Sequence, residues 1–134
     1  MRAFREAVEA QDLDAAEALL APDVVFTSPV VFKPYTGKAV TAAILRTVAE
    51  VFEDFRYVRE LDGADGRDSA LVFTARVDGR ELTGCDFIHL GEDGLIHELM
   101  VMVRPLSGAQ ALAAAMGARF EQIAEEAQRD SRLG

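Results

Sequence analysis

Asp86 and His97 are the residues of this chain whose types and spacing could move a proton. They lie on either side of Gly91-Glu92-Asp93-Gly94, a turn signal between two strand-like runs. If that turn closes a regular hairpin, Leu90 pairs with Leu95 and Ile88 with His97. Asp86 then lies diagonal to His97, close enough for long side chains to meet. A one-residue bulge at Gly94 would break that geometry. A carboxyl among Phe, Leu and Ile has its charged form disfavoured by desolvation, so it can donate a proton or a hydrogen bond to a ligand oxygen. An imidazole oriented by such a carboxyl can act as base, because it titrates near neutral pH. The structural alternatives stand beside this reading: an Asp86 carboxylate bonded to a neighbouring strand, and a His97 exposed to solvent or bonded to backbone.

The strands that carry these groups alternate with period two, which sorts their side chains by face. Val24, Phe26 and Ser28 share one face of a first strand, Phe55 and Tyr57 one face of a second, and Leu71, Phe73, Ala75 and Val77 one face of a third. Leu82, Gly84, Asp86 and Ile88 go together in the fourth, and His97, Leu99, Val101 and Val103 in the fifth. The inner surface is therefore apolar, with Ser28, Tyr57, Asp86 and His97 as its polar groups, the usual composition of a small-molecule pocket. Phe26, Phe55, Phe73, Ile88, Leu99 and Val101 are its expected apolar lining. Ser28, Tyr35 and Tyr57 are expected ligand hydrogen-bonders, with hydroxyls satisfied by backbone as the alternative. No Ser-His-Asp order suggests a triad, and two histidines without a carboxylate or cysteine cluster make no metal site. No cofactor is expected.

The remaining elements must hold these strands. Phe4 and Val8 mark a short first helix. Asp12 or Asp14 caps a second through Leu20, which Pro22 ends. Val40, Ile44, Val48 and Val51 stripe a third from Lys38 to Phe52. Residues 30–36 read as a loop, Asp62 to Gly66 as a turn and Asp78-Gly79 as a hairpin. Leu106 to Arg132 is Ala-rich and helical. Cys85, Phe87, Met100 and Met102 form a second, outer apolar face, to be covered either by a second copy of the chain or by the C-terminal helix.

At 134 residues the chain is long enough for one domain, residues 1–134, with a core of its own. Its net charge of −9 disfavours nucleic acid and anionic membranes as partners. One cysteine excludes an intramolecular disulfide framework. The charged start, Met1-Arg2-Ala3-Phe4-Arg5-Glu6, lacks the apolar core of a signal peptide, so a cytoplasmic protein is expected.

Three segments carry a resemblance. Ala21-Pro22-Asp23-Val24-Val25-Phe26 precedes a strand, Tyr35-Thr36-Gly37-Lys38 opens a helix, and Gly84-Cys85-Asp86-Phe87-Ile88 with Glu92-Asp93-Gly94-Leu95-Ile96 makes a strand-turn-strand. In this order, over residues 1 to about 105, the chain resembles the nuclear transport factor 2-like superfamily. The resemblance implies an α+β cone: a curved, largely antiparallel sheet wrapped around three N-terminal helices, with a C-terminal helix at about 106–130 as an addition. It also implies a pocket for a small hydrophobic molecule and a homodimer through the outer sheet face. The superfamily includes ketosteroid isomerases, polyketide cyclases, scytalone dehydratase, limonene-epoxide hydrolase and members without catalysis. By resemblance to the ketosteroid isomerases, Asp86 falls on their oxyanion-binding aspartic acid. Where they place a catalytic Asp before Pro, this chain has Ser28 before Pro29, and where they place a helix tyrosine it has about Phe4. A serine without a partner base has no useful basicity at neutral pH. The sequence thus leads first to a small apolar-ligand-binding protein. The alternative is a cofactor-free isomerase, dehydratase or cyclase acting through Asp86 and His97 on a hydrophobic carbonyl, hydroxyl or epoxide compound.

Overall fold

Leu71, Phe73, Ala75 and Val77 are all buried and the residues between them are not, so β4 (Asp68–Val77) packs one face against a core. The same period governs β5 (Arg80–Leu90), where Leu82, Gly84, Asp86 and Ile88 point inward. Asp78 and Gly79, both at positive φ, make the two-residue turn that sets this register, with Val77 opposite Arg80.

The computed structural model describes residues 1–133. Chain order is α1 (Arg2–Glu9), α2 (Leu13–Ala18), β1 (Leu20–Thr27), β2 (Tyr35–Thr36), α3 (Lys38–Val51), β3 (Glu53–Asp62), β4, β5, β6 (Ile96–Arg104), α4 (Leu106–Gly117) and α5 (Phe120–Leu133). The sheet runs β2-β1-β6-β5-β4-β3. It is antiparallel except where β1 lies parallel to β6, so it is mixed. Register shifts in β3 around Asp54 and Val58, with Asp54 at φ 51°, bend this edge strand. The helices fill the concave side. Among the described residues no helix is long and apolar enough to cross a membrane.

The α+β cone expected from the sequence is the observed architecture, with three local differences. The second helix stops at Ala18, because Leu20 already pairs with Ile96 and opens β1. Tyr35-Thr36 is a short edge strand on β1 rather than loop. The single C-terminal helix is two, broken at Ala118 and Arg119. Neither covers the outer sheet face. Gly108 of α4 sits directly on Leu82, an inner-face residue, and Leu112 is buried in the core. Helix α5 lies along α3, where Arg46 bonds Asp14 and Glu17 at 2.7 Å each and reaches Asp130 at 3.9 Å.

Gly84 has a steric reason. The Phe73 ring lies across its Cα, where a Cβ would overlap three ring carbons. Gly84→Ala must displace that ring from a packed core, an overpacking change of about 1–3 kcal/mol. Chemical denaturation followed by circular dichroism should show this loss, and an unchanged midpoint would contradict the packing described.

Candidate functional site

The concave face leaves a cavity of about 430 Å³ between the sheet and α1, α3 and α4. Each wall follows from the periodicity of its element. Phe55 and Tyr57 project from β3, Phe73 from β4, Asp86 from β5, and Phe26 and Val101 from β1 and β6. Ile44 and Val48, four residues apart on α3, face them, with Phe4 from α1 and Leu112 from α4 closing the sides. Phe52, Phe55 and Phe73 form an aromatic cluster with ring centroids 5.1–5.7 Å apart. Tyr57 stands edge-on to Phe55 and Phe73 at 4.9 and 6.3 Å.

That packing aims the Tyr57 hydroxyl at β5, where it donates to Asp86 Oδ2 at 2.9 Å. Both side chains are buried, and among the described residues Asp86 has no other side-chain partner. Desolvation pushes the Asp86 carboxyl up to about 7, against the smaller opposing effect of the Tyr57 hydrogen bond. Desolvation, and then the neighbouring Asp86 charge, raises the Tyr57 phenol, which stays protonated. The pair is therefore a donor–acceptor couple set among aromatic side chains. When Asp86 carries its proton, the carboxyl can donate to a ligand oxygen. Glu9, Gln11, Asp54 and Arg56 form the polar part of the wall.

The expected meeting of Asp86 with His97 does not occur. Leu90 pairs with Ile96 and His89 with Glu98, which leaves His97 as the extra residue of a bulge. Asp86 lies opposite Val101 instead. The His97 ring folds over Gly91, whose missing side chain makes room for it, and its Nε2 lies 3.0 Å from Asp93 Oδ1. The backbone N–H of Leu95 and then His97 hold the Asp93 carboxyl below its ordinary range. His97 thus pins the β5–β6 turn and lines no part of the cavity. His89 lies 2.7 Å from Asp68 on the outer face, a contact that raises its imidazole.

Of the lining expected from the sequence, Phe26, Phe55, Tyr57, Phe73 and Val101 surround the same cavity as Asp86. Ile88 and Leu99 do not line it; they pair across β5 and β6 as solid core. Ser28 and Tyr35 line a separate cleft, and Ser28 Oγ accepts the Val30 N–H at 3.1 Å. Ile44 and Val48 belonged to a legible helical stripe, but nothing in the strand pattern aimed that stripe at Asp86. Leu112 was missed because the C-terminal helix entered the sequence reading only as one of two alternative covers for the outer face. Among the described residues no cluster of three or more His, Cys, Asp or Glu could hold a metal ion.

The sequence matches the SnoaL-like domain over residues 1–99. No curated protein matches it. Among solved structures, a steroid delta-isomerase from Pseudomonas aeruginosa is similar at 49 % identity and a TM-score of 0.84, over 89 % of this chain and 87 % of that one. An uncharacterized bacterial protein with a cystatin-like fold from Silicibacter pomeroyi is 37 % identical, TM-score 0.82, over 93 % and 92 %. A nuclear transport factor 2-like protein from Burkholderia xenovorans, 22 % identical with a TM-score of 0.64 over 82 % and 90 %, shares the fold.

The raised Asp86 carboxyl sets a pH dependence. An unfolded aspartate titrates near about 3.9, so between there and about 7 the native state holds a proton that the unfolded state has lost. Its stabilising contribution is complete below the lower value and is lost as pH rises through the upper one. Asp86→Asn mimics the neutral acid, so its stability relative to wild type should rise between pH ~4 and ~7. Parallel stability–pH curves for the two proteins would refute the assignment.

Proposed function

The chain belongs to the SnoaL-like domain family, of the nuclear transport factor 2-like superfamily, and from its site we propose that it binds a small hydrophobic molecule bearing one carbonyl or hydroxyl oxygen. The observation that carries this reading is the buried Tyr57–Asp86 hydrogen bond beside the aromatic cluster of a cavity whose other polar groups are Glu9, Gln11, Asp54 and Arg56. A buried carboxyl bonded once retains unused hydrogen-bonding capacity, and the part of the cavity it lines is where a ligand oxygen would use it. The aromatic cluster supplies the apolar contact, and the oxygen fixes orientation.

A second reading, acid–base chemistry on the same ligand, is favoured by the likeness to a protein described as a steroid delta-isomerase. In that reading Asp86 polarises the oxygen, and His97 has no part, since it lies in the turn. The proton would pass to a carboxylate of the cavity wall; Glu9 bonds Arg5, and Asp54 is paired with Arg76. Ser28 before Pro29 offers no base, which ranks this reading below binding.

We also propose that a second copy of the chain covers the outer sheet face. Below a mixed row of Glu53, Arg76 and Glu81, its rows run from basic through largely apolar to acidic. Arg56, Thr74, Thr83 and Arg104 form the basic one; Arg59, Val72, Cys85 and Met102 the next; then Leu61, Ala70, Phe87 and Met100; and last Asp68, His89 and Glu98. Phe87 and Met102 are exposed. A two-fold axis along the rows would set the basic row over the partner's acidic row, strand over like strand, and put Arg104 against Glu98 of the partner subunit.

Titration calorimetry with 4-ethylphenol and ethylbenzene tests the binding reading. The phenol should bind wild type about tenfold more tightly than it binds Tyr57→Phe or Asp86→Leu, while ethylbenzene should not distinguish the three. A phenol indifferent to both substitutions would defeat the reading. For the dimer, sedimentation should show Arg104→Glu and Glu98→Arg each weakening association and the double variant recovering it. A monomeric wild type, or a double variant no better than the singles, would refute that arrangement.

A further inference from the structure

Ser28 and Tyr35, absent from the Asp86 cavity, belong to a second cleft of about 250 Å³. Its inner wall is Phe26 and Ile44, the two residues it shares with the cavity. The two spaces thus lie on opposite sides of one partition, a phenyl ring from β1 and a sec-butyl group from α3. The outer wall is the elbow between α4 and α5, through Ala113, Met116, Gly117 and Ile123. All of these lie beyond residue 99, where the family match ends. The added helices therefore do more than lengthen the fold. Leu112 closes the first space, and the next residue, Ala113, borders the second.

The cleft differs in chemistry from the cavity. No carboxylate or cation borders it, and its polar groups are the Ser28 hydroxyl, already accepting the Val30 N–H, and the Tyr35 hydroxyl. Its elbow side is lined by small, exposed residues, Ala113, Gly117 and Ala124, and a Cβ at Gly117 would meet open space. The buried carboxyl that an oxygen-bearing head would meet lies in the cavity, at Asp86, and the cleft holds no counterpart to it. What the cleft can take is apolar and reaches it past Phe26 and Ile44.

We infer that the cleft is a second subsite, and that the ligand is an elongated hydrophobic molecule whose oxygen sits on Tyr57–Asp86 and whose unbranched apolar tail passes the Phe26–Ile44 partition to lie under the α4–α5 elbow. This rests on the binding reading above and adds the ligand's shape to it. Phe26 and Ile44 are then the residues that set length selectivity. A flat or branched tail would have to displace both, whereas a polymethylene chain needs only a rotamer change of the partition residues.

A series of 4-alkylphenols from ethyl to decyl, titrated by calorimetry into wild type, Ala113→Leu and Gly117→Val, tests this. Ala113 is exposed and a Cβ at Gly117 meets open space, so both variants should fold. In wild type each methylene that reaches the cleft should tighten binding about fourfold. In both variants the gain should stop at the partition, with the short phenols bound as in wild type. A wild type that gains no affinity beyond the length where the variants stop overturns the second subsite while leaving the cavity reading intact. Short phenols that fail to bind wild type overturn both. Long phenols binding the variants as tightly as wild type would place the tail elsewhere and overturn the inference alone.

Discussion

A carboxyl group inside an apolar sheet is the constraint from which the site follows. Ionised and unpartnered, Asp86 would cost several kcal/mol to bury, so the fold must supply it either a proton or a donor. It does both: desolvation holds the acid near neutrality of charge, and Tyr57 brings a hydroxyl from β3, two strands away. The reach of Tyr57 depends on how β3 bends. Its register shifts around Asp54 and Val58 turn the edge strand over the core, and the rings of Phe55 and Phe73 hold the phenol edge-on. Phe73 can lie flat against the sheet only because Gly84 has no side chain. A bend, a glycine and an aromatic cluster thus serve one hydrogen bond.

The inner faces were legible because period two depends on the backbone alone. Once a run is a strand, Phe73 and Leu71, or Asp86 and Ile88, must share a face. The fold class was legible for a similar reason, from the order of periodic segments and the turn residues between them. A bulge has no such rule. One extra residue in β6 moved His97 out of line with Asp86 and into contact with Asp93, and no local composition distinguishes that strand from an unbulged one. A clue lay in Gly91-Glu92-Asp93-Gly94: Asp93 bonds both the Leu95 N–H and His97 and so gives the histidine a local partner.

Long-range partitioning was not readable either. Ser28 shares a strand face with Phe26, yet Ser28 lines only the cleft while Phe26 borders both spaces. Pattern assigns a face; it does not say whether the face borders one space or two. The C-terminal segment shows the same limit. Its composition specified helix, but the break at Ala118 and Arg119 and the choice of the concave side came from packing: Gly108 on Leu82 and α5 along α3. Both outcomes leave the outer face open, with Phe87 and Met102 exposed on it.

The energetic position of Asp86 argues for function over architecture. Replacing a buried polar pair by well-packed apolar groups is often neutral or stabilising, and the surroundings here are already apolar. A leucine at Asp86 and a phenylalanine at Tyr57 would remove the desolvation cost without leaving an orphaned donor. The chain instead keeps an acid whose proton is worth stability only below neutral pH, and sets it against a cavity rather than in solid core. Asp62 offers the contrast: its carboxylate, bonded to the Ser69 hydroxyl and the N-terminal ammonium, is held below its ordinary range, as a structural ion pair should be. Asp86 is pushed the opposite way and faces open volume, which is the contrast on which the binding proposal rests.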